Sequence, residues 1–71
     1  MKVFAVFDSS NIDEVGYDDK NMTCIVHFKT GWTYIYHGVS QSTFDMFYSS
    51  PSKGSAVWSM LNGHSFEKIK G

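Results

Sequence analysis

The chain has no arginine, a single cysteine, a single proline and no apolar run longer than one strand, and each shortage removes a class of explanation. Without arginine there is no bidentate fork for phosphate or guanine. The one thiol, Cys24, has no partner for a disulfide within the chain and fits a reducing compartment. Met1-Lys2 is followed by five apolar residues, Val3 to Phe7, whereas a signal peptide needs roughly 7–15 and a membrane span about 20. A cytoplasmic protein is expected, without membrane association. Six lysines stand against seven acids, and the lysines are scattered along the chain, so the electrostatic footprint of a general nucleic-acid binder is weak.

What is present is aromatic. Six Phe, four Tyr and two Trp stand in 71 residues, which is room for one domain, 1–71, and no cleft between domains. A chain so short buries only about 60% of its unfolded surface, so these rings, each burying on the order of 150–250 Å², must supply the core. The run Gly31-Trp32-Thr33-Tyr34-Ile35-Tyr36-His37 puts three of them on alternate positions, and a period of two places Trp32, Tyr34 and Tyr36 on one face of a strand. Met22 to Phe28 is also strand-like. The length of the loop between them decides which faces meet. A three-residue turn, Lys29-Thr30-Gly31, closed by a left-handed glycine, pairs Phe28 with Trp32, Val26 with Tyr34 and Cys24 with Tyr36. The reverse face then carries Ile25 with Ile35, His27 with Thr33 and Thr23 with His37. A two-residue loop would split the apolar set between both faces, so the three-residue turn is predicted.

Val3 to Phe7 reads as a strand or a strand-like arm, interrupted by Asp8-Ser9-Ser10-Asn11. Ile12 and Val15 are three apart, the spacing of a helical turn or a bulge, before Gly16-Tyr17 and the polar turn Asp18-Asp19-Lys20-Asn21. Beyond Val39 the period becomes helical: Phe44, Phe47 and Tyr48 fall at i, i+3 and i+4 behind Ser40 or Ser42 as a cap. Ser50-Pro51 restarts a helix with proline at its first position, Val57, Met60 and Leu61 repeat the spacing, and Asn62-Gly63 stops it. Phe66 to Ile69 is a short edge segment. Strands followed by helices give an α+β fold, a small antiparallel sheet of three to four strands with two short helices packed on its aromatic face.

Ser9-Ser10-Asn11-Ile12, Val15-Gly16-Tyr17-Asp18, the strand with Val26 and Phe28, the Gly31 turn, the Tyr34-x-Tyr36 centre, Val39 and Ser52-Lys53-Gly54 form an ordered series over about residues 6–69. The series resembles the KTSC domain, a small domain at the carboxyl end of some lysyl-tRNA synthetases that also occurs as a stand-alone bacterial or phage protein. The chain departs from it at Ser40, where the family often has proline, and at Ala56-Val57, where aromatics commonly follow the Ser-x-Gly motif. The resemblance implies a small α+β fold. The synthetase fusion also implies RNA or single-stranded nucleic-acid binding as an alternative function. A phage-encoded member would act in the host cytoplasm as a host-directed factor.

No catalytic constellation is visible. Cys24 faces away from His27 and His37, with nothing nearby to lower its pKa, and is predicted to be an inert buried thiol. His27 and His37 share a face but lie about 13 Å apart along the strands, too far for one metal, so no metal or cofactor is expected. Asp18 and Asp19 are turn residues. Ser52, Lys53 and Gly54 at a helix start form a candidate anion site of free amides and one ammonium, set against plain capping by Ser50 or Ser52. Trp32, Tyr34 and Tyr36 are expected in the core, although an exposed aromatic strand would stack bases. The candidate binding surface is the reverse face, Ile25, His27, Thr33, Ile35 and His37, an apolar centre with a polar rim. A non-enzymatic binding module acting on a protein partner is expected. The Val3 to Phe7 arm either joins the sheet or covers this face.

Overall fold

The computed structural model describes residues 2–5 and 11–70, with side chains at Val3 and from Asn11 onward. Five antiparallel strands, β1 (Lys2–Ala5), β2 (Ile12–Asp18), β3 (Thr23–Phe28), β4 (Trp32–Tyr36) and β5 (Phe66–Lys70), lie side by side in chain order. Two helices, α1 (Gln41–Ser49) and α2 (Lys53–Met60), connect β4 to β5. The α+β class is as predicted. The sheet is one strand wider than three to four because Ile12–Asp18 pairs with strands on both sides. Residues 6–10, which include the end of the Val3 to Phe7 arm and most of the Asp8 to Asn11 interruption, lie outside the described residues.

The spacing of Ile12 and Val15 resolves as a bulge. The register slips between Ile12, opposite Phe28, and Glu14, opposite His27, leaving Asp13 as the extra residue. One added residue reverses the alternation, so Ile12 and Val15 both reach the core although they are three apart. The β3–β4 hairpin has the predicted register, with Cys24 opposite Tyr36, Ile25 opposite Ile35, Val26 opposite Tyr34 and His27 opposite Thr33. Its turn closes through Gly31, whose φ of 98° suits glycine and whose N–H donates to the Phe28 carbonyl at 3.0 Å.

Ser40 caps α1, its hydroxyl accepting from the Thr43 N–H at 3.2 Å. The proline has a different role from the one expected. Pro51 precedes α2, which begins at Lys53 behind Ser52. The residue before proline is held extended, and Ser50, with ψ of 137°, is the C-cap of α1. Proline thus ends the first helix, and the Ser52 side chain makes no capping hydrogen bond to the second.

Both helices pack on one face of the sheet. Ile12, Val15, Tyr17, Cys24, Val26 and Tyr36 from the strands meet Val39, Phe44, Phe47, Ala56, Val57 and Leu61 in a single buried cluster. Tyr17 joins the layers by stacking on Phe44 at 4.8 Å and donating its hydroxyl to the Val39 carbonyl at 2.6 Å. That bond satisfies a buried polar group whose isolation would cost free energy. Of the three β4 aromatics, Tyr36 is buried in this cluster, Tyr34 packs partly buried against it, and Trp32 stands half-buried outside it.

Candidate binding faces of the sheet

The hairpin register turns Ile25, His27, Thr33 and Ile35 to the face opposite the helices. On it His27 Nδ1 and Thr33 Oγ1 are 2.8 Å apart, and Ile25 and Ile35 are half-buried neighbours. His37 is exposed just beyond β4, its Nε2 3.5 Å from Glu67 Oε2 on β5. The register of the outer strands adds residues that no local pattern marks. Val3 lies opposite Gly16, which lies opposite Ile25, while Ile69 lies opposite Thr33. Val3 is 57% and Ile69 50% exposed. Because Gly16 has no side chain, a depression of about 120 Å³ opens over it between Val3, Glu14, Ile25, His27 and Thr33. Residues 2–5 of the amino-terminal arm pair in the plane of the sheet, so this part of the arm widens the face and does not cover it.

The helix-side face ends differently at its β5 edge. Phe66, Lys68 and Lys70 stand opposite Tyr36, Tyr34 and Trp32. The Phe66 ring stacks on Tyr34 at 5.4 Å and 14°. Lys68 Nζ sits 4.4 Å from the centre of the Trp32 ring and 5.6 Å from that of Tyr34, and Lys70 Nζ sits 5.1 Å from that of Trp32. Beside this row, where α2 ends, a cleft of about 130 Å³ is lined by Tyr34, Tyr36, Phe66, Trp58, Asn62 and His64 among others. His64 Nδ1 is 3.1 Å from the His37 carbonyl oxygen. A carbonyl only accepts, so Nδ1 is the donor in this contact.

The remaining candidates fall elsewhere. Lys53 is buried, its ammonium donating to the Ser50 carbonyl at 3.5 Å and lying 5.2 Å from the centre of the Tyr48 ring. Ser52, Lys53 and Gly54 therefore present backbone at the helix start, with the lysine charge turned inward. Among the described residues no three His, Cys, Asp or Glu side chains gather as a metal site, and no helix is long and apolar enough to cross a membrane. Cys24 is fully buried under Tyr36, and burial pushes its thiol up to about 12. A thiol reagent at neutral pH is expected to leave native Cys24 unmodified over minutes and to label it at once in denaturant. Rapid labelling of the native protein would reject this packing.

The Tyr-x-Tyr centre thus sits on the core face of β4, and the Ser-x-Gly motif opens α2 behind it. A crystal structure of the KTSC domain protein YPO2434 from Yersinia pestis has the same architecture, with a TM-score of 0.87 at 32% identity over 96% of each chain. No functionally curated protein matches the chain. The family model of the KTSC domain matches residues 8–61, from the end of the arm through the close of α2. The chain belongs to the KTSC domain family.

Proposed function

We propose that this KTSC domain is a non-enzymatic binding module that docks a protein partner on the open face of its sheet. One observation carries the proposal: both helices lie on one side of the sheet, leaving the other side with a half-buried isoleucine pair between exposed Val3 and Ile69. An antiparallel sheet tolerates one wet face, but such faces normally alternate to polar residues. Here the isoleucine pair holds the middle, Val3 and Ile69 extend the apolar surface to the outer strands, and His27, Thr33, His37, Glu14 and Glu67 are set around and between them, a mixed apolar and polar contact surface.

The test is Ile35→Lys, which puts a charge in the middle of the patch. The new side chain lies opposite Glu67 and pairs with it across the strands, so the fold loses little. A cost below about 1 kcal/mol, or a melting temperature lowered by less than about 8 °C, is expected. Capture of the partner from a nuclease-treated native lysate should be abolished, as expected for a charge buried at the centre of an interface. Capture that survives in a folded Ile35→Lys protein removes the open face from the argument.

A further inference from the structure

The depression over Gly16 holds one feature that contact between apolar surfaces leaves unused. Three acids belong by register to the open face, Glu14, Asp18 and Glu67, whereas Lys68 and Lys70 belong to the opposite one. Two of the three are already engaged. Asp18 accepts from the Lys20 N–H at 3.1 Å and from Asn21 Nδ2 at 2.8 Å within its turn, and Glu67 lies 3.5 Å from His37. Among the described residues Glu14 has neither an ion-pair partner nor a side-chain hydrogen bond. It is also the one carboxylate among the described residues that line the depression, and no described lysine lines it. The β2 bulge puts it there: the extra residue Asp13 turns Glu14 and Gly16 to the open face and Val15 to the core.

We infer that the protein partner anchors on this face through a basic side chain, a lysine or arginine flanked by apolar residues, whose stem fills the depression over Gly16 and whose charged head meets Glu14. The inference rests on the docking reading and adds the partner's chemistry to it. The size suits a single side chain, since about 120 Å³ is less than the roughly 150 Å³ that holds a benzene ring. The walls suit it as well. Val3 and Ile25 offer apolar contact to the stem of a long basic side chain, which keeps its charge at the rim where Glu14 is exposed. A leucine would fill the depression but strip water from Glu14 without giving it a partner, which costs free energy. An acidic side chain or a nucleic-acid phosphate would meet three carboxylates, a repulsive arrangement. A free small cation would use Glu14 and leave the isoleucine pair beside it bare, whereas a protein segment uses both.

The experiment is fluorescence anisotropy of a short labelled peptide that alternates leucine with arginine, titrated with the full chain at low salt, beside a leucine–glutamine peptide of the same length. Saturable binding of the arginine peptide is expected, with the glutamine peptide weaker by about ten-fold or more, the low end for a charge pair enclosed in an interface. Glu14→Gln keeps the shape of an exposed side chain, so the fold is retained, and it should weaken the arginine peptide by the same factor. Asp18→Asn should change the affinity far less, because that carboxylate already serves its turn. Met46→Ala, exposed on α1, should leave it unchanged. No saturable binding, equal binding of the two peptides, or equal losses from Glu14→Gln and Asp18→Asn would each overturn the inference, the last by reducing it to diffuse attraction between charges. Failure of the docking reading looks different. If Ile35→Lys abolishes partner capture while Glu14→Gln leaves it intact, the open face remains the docking surface and only the basic anchor is lost. If neither substitution affects capture, both are lost.

Discussion

Truncating Phe47 to alanine is expected to remove about 3–5 kcal/mol of unfolding free energy. Phe47 is the largest of the fully buried side chains, and it reaches the core from the middle of α1 between the two layers. No neighbour can close over the space without moving a helix, because the sheet below is fixed by its ladders. A chain of 71 residues has a total stability of roughly 4–11 kcal/mol. The substitution therefore removes much of the margin and at the bottom of that range leaves the protein largely unfolded. Urea denaturation measures it, as a fall in midpoint at constant slope. Met46→Ala, one residue earlier on the same helix and exposed, is expected within about 0.5 kcal/mol of the parent. Equal small effects of the two substitutions would mean that α1 does not pack through the Phe44–Phe47 face.

The second large effect is an alkaline loss of stability that begins near pH 9. Burial holds Cys24 up from its ordinary 9.0 to about 12. Burial first, then the neighbouring Tyr34 and Cys24, holds Tyr36 up from 10.0 to about 12. In each case the native state keeps a proton that the unfolded chain has already released. Below about pH 9 the two states carry the same protons at these groups and stability is at its full value. As pH rises the unfolded state is favoured, by up to about 1.4 kcal/mol per pH unit for each group, until the native pKa is reached. The decline should start between pH 9 and 10 with Cys24 and steepen above pH 10 with Tyr36. Cys24→Ala, which cannot ionise, should postpone the onset by about one pH unit. Urea midpoints across pH 8–11 provide the measurement, and an unchanged onset in Cys24→Ala would contradict a thiol buried in that position.

The parts of the fold legible in the sequence are those decided locally. The length of the Lys29-Thr30-Gly31 turn sets the β3–β4 register, and the Ser40 cap with the Phe44–Phe47 spacing sets α1. What was not legible depends on partners distant in the chain. The i, i+3 spacing of Ile12 and Val15 is the same in a helical turn and in a bulged strand, and only pairing with β3 distinguishes them. Pro51 suits the first position of a helix and the stop of the preceding one equally well. The extended Ser50 required before it settles the matter.

The candidate sites divide in the same way. Ile25, His27, Thr33 and Ile35 share a face because one hairpin says so. Val3, Ile69 and Glu67 join them only because β1 and β5 flank that hairpin, and β5 reaches β4 across both helices. The lysines look scattered along the chain, yet the alternation Phe66, Lys68, Lys70 was a usable mark. Once β5 is placed beside β4, period two alone brings these residues over Tyr36, Tyr34 and Trp32. The missing knowledge was strand adjacency and not chemistry.

The order of the strands has a consequence for biosynthesis. Strands β1 to β4 are consecutive neighbours and are complete by Tyr36, whereas both helices follow them and β5 comes after the helices. During translation at roughly 5–20 residues per second, a nascent meander therefore precedes the completed pair of helices that buries its aromatic face by on the order of one to five seconds. In that interval Tyr17, Val26 and Tyr36, which the finished protein covers, face solvent, and the β4 edge that β5 will occupy is open. The emerging half-domain thus exposes an apolar face and an open strand edge at the same time. Its period of risk ends when the helices arrive and β5, with its lysines, closes the sheet with a charged border that discourages further strands.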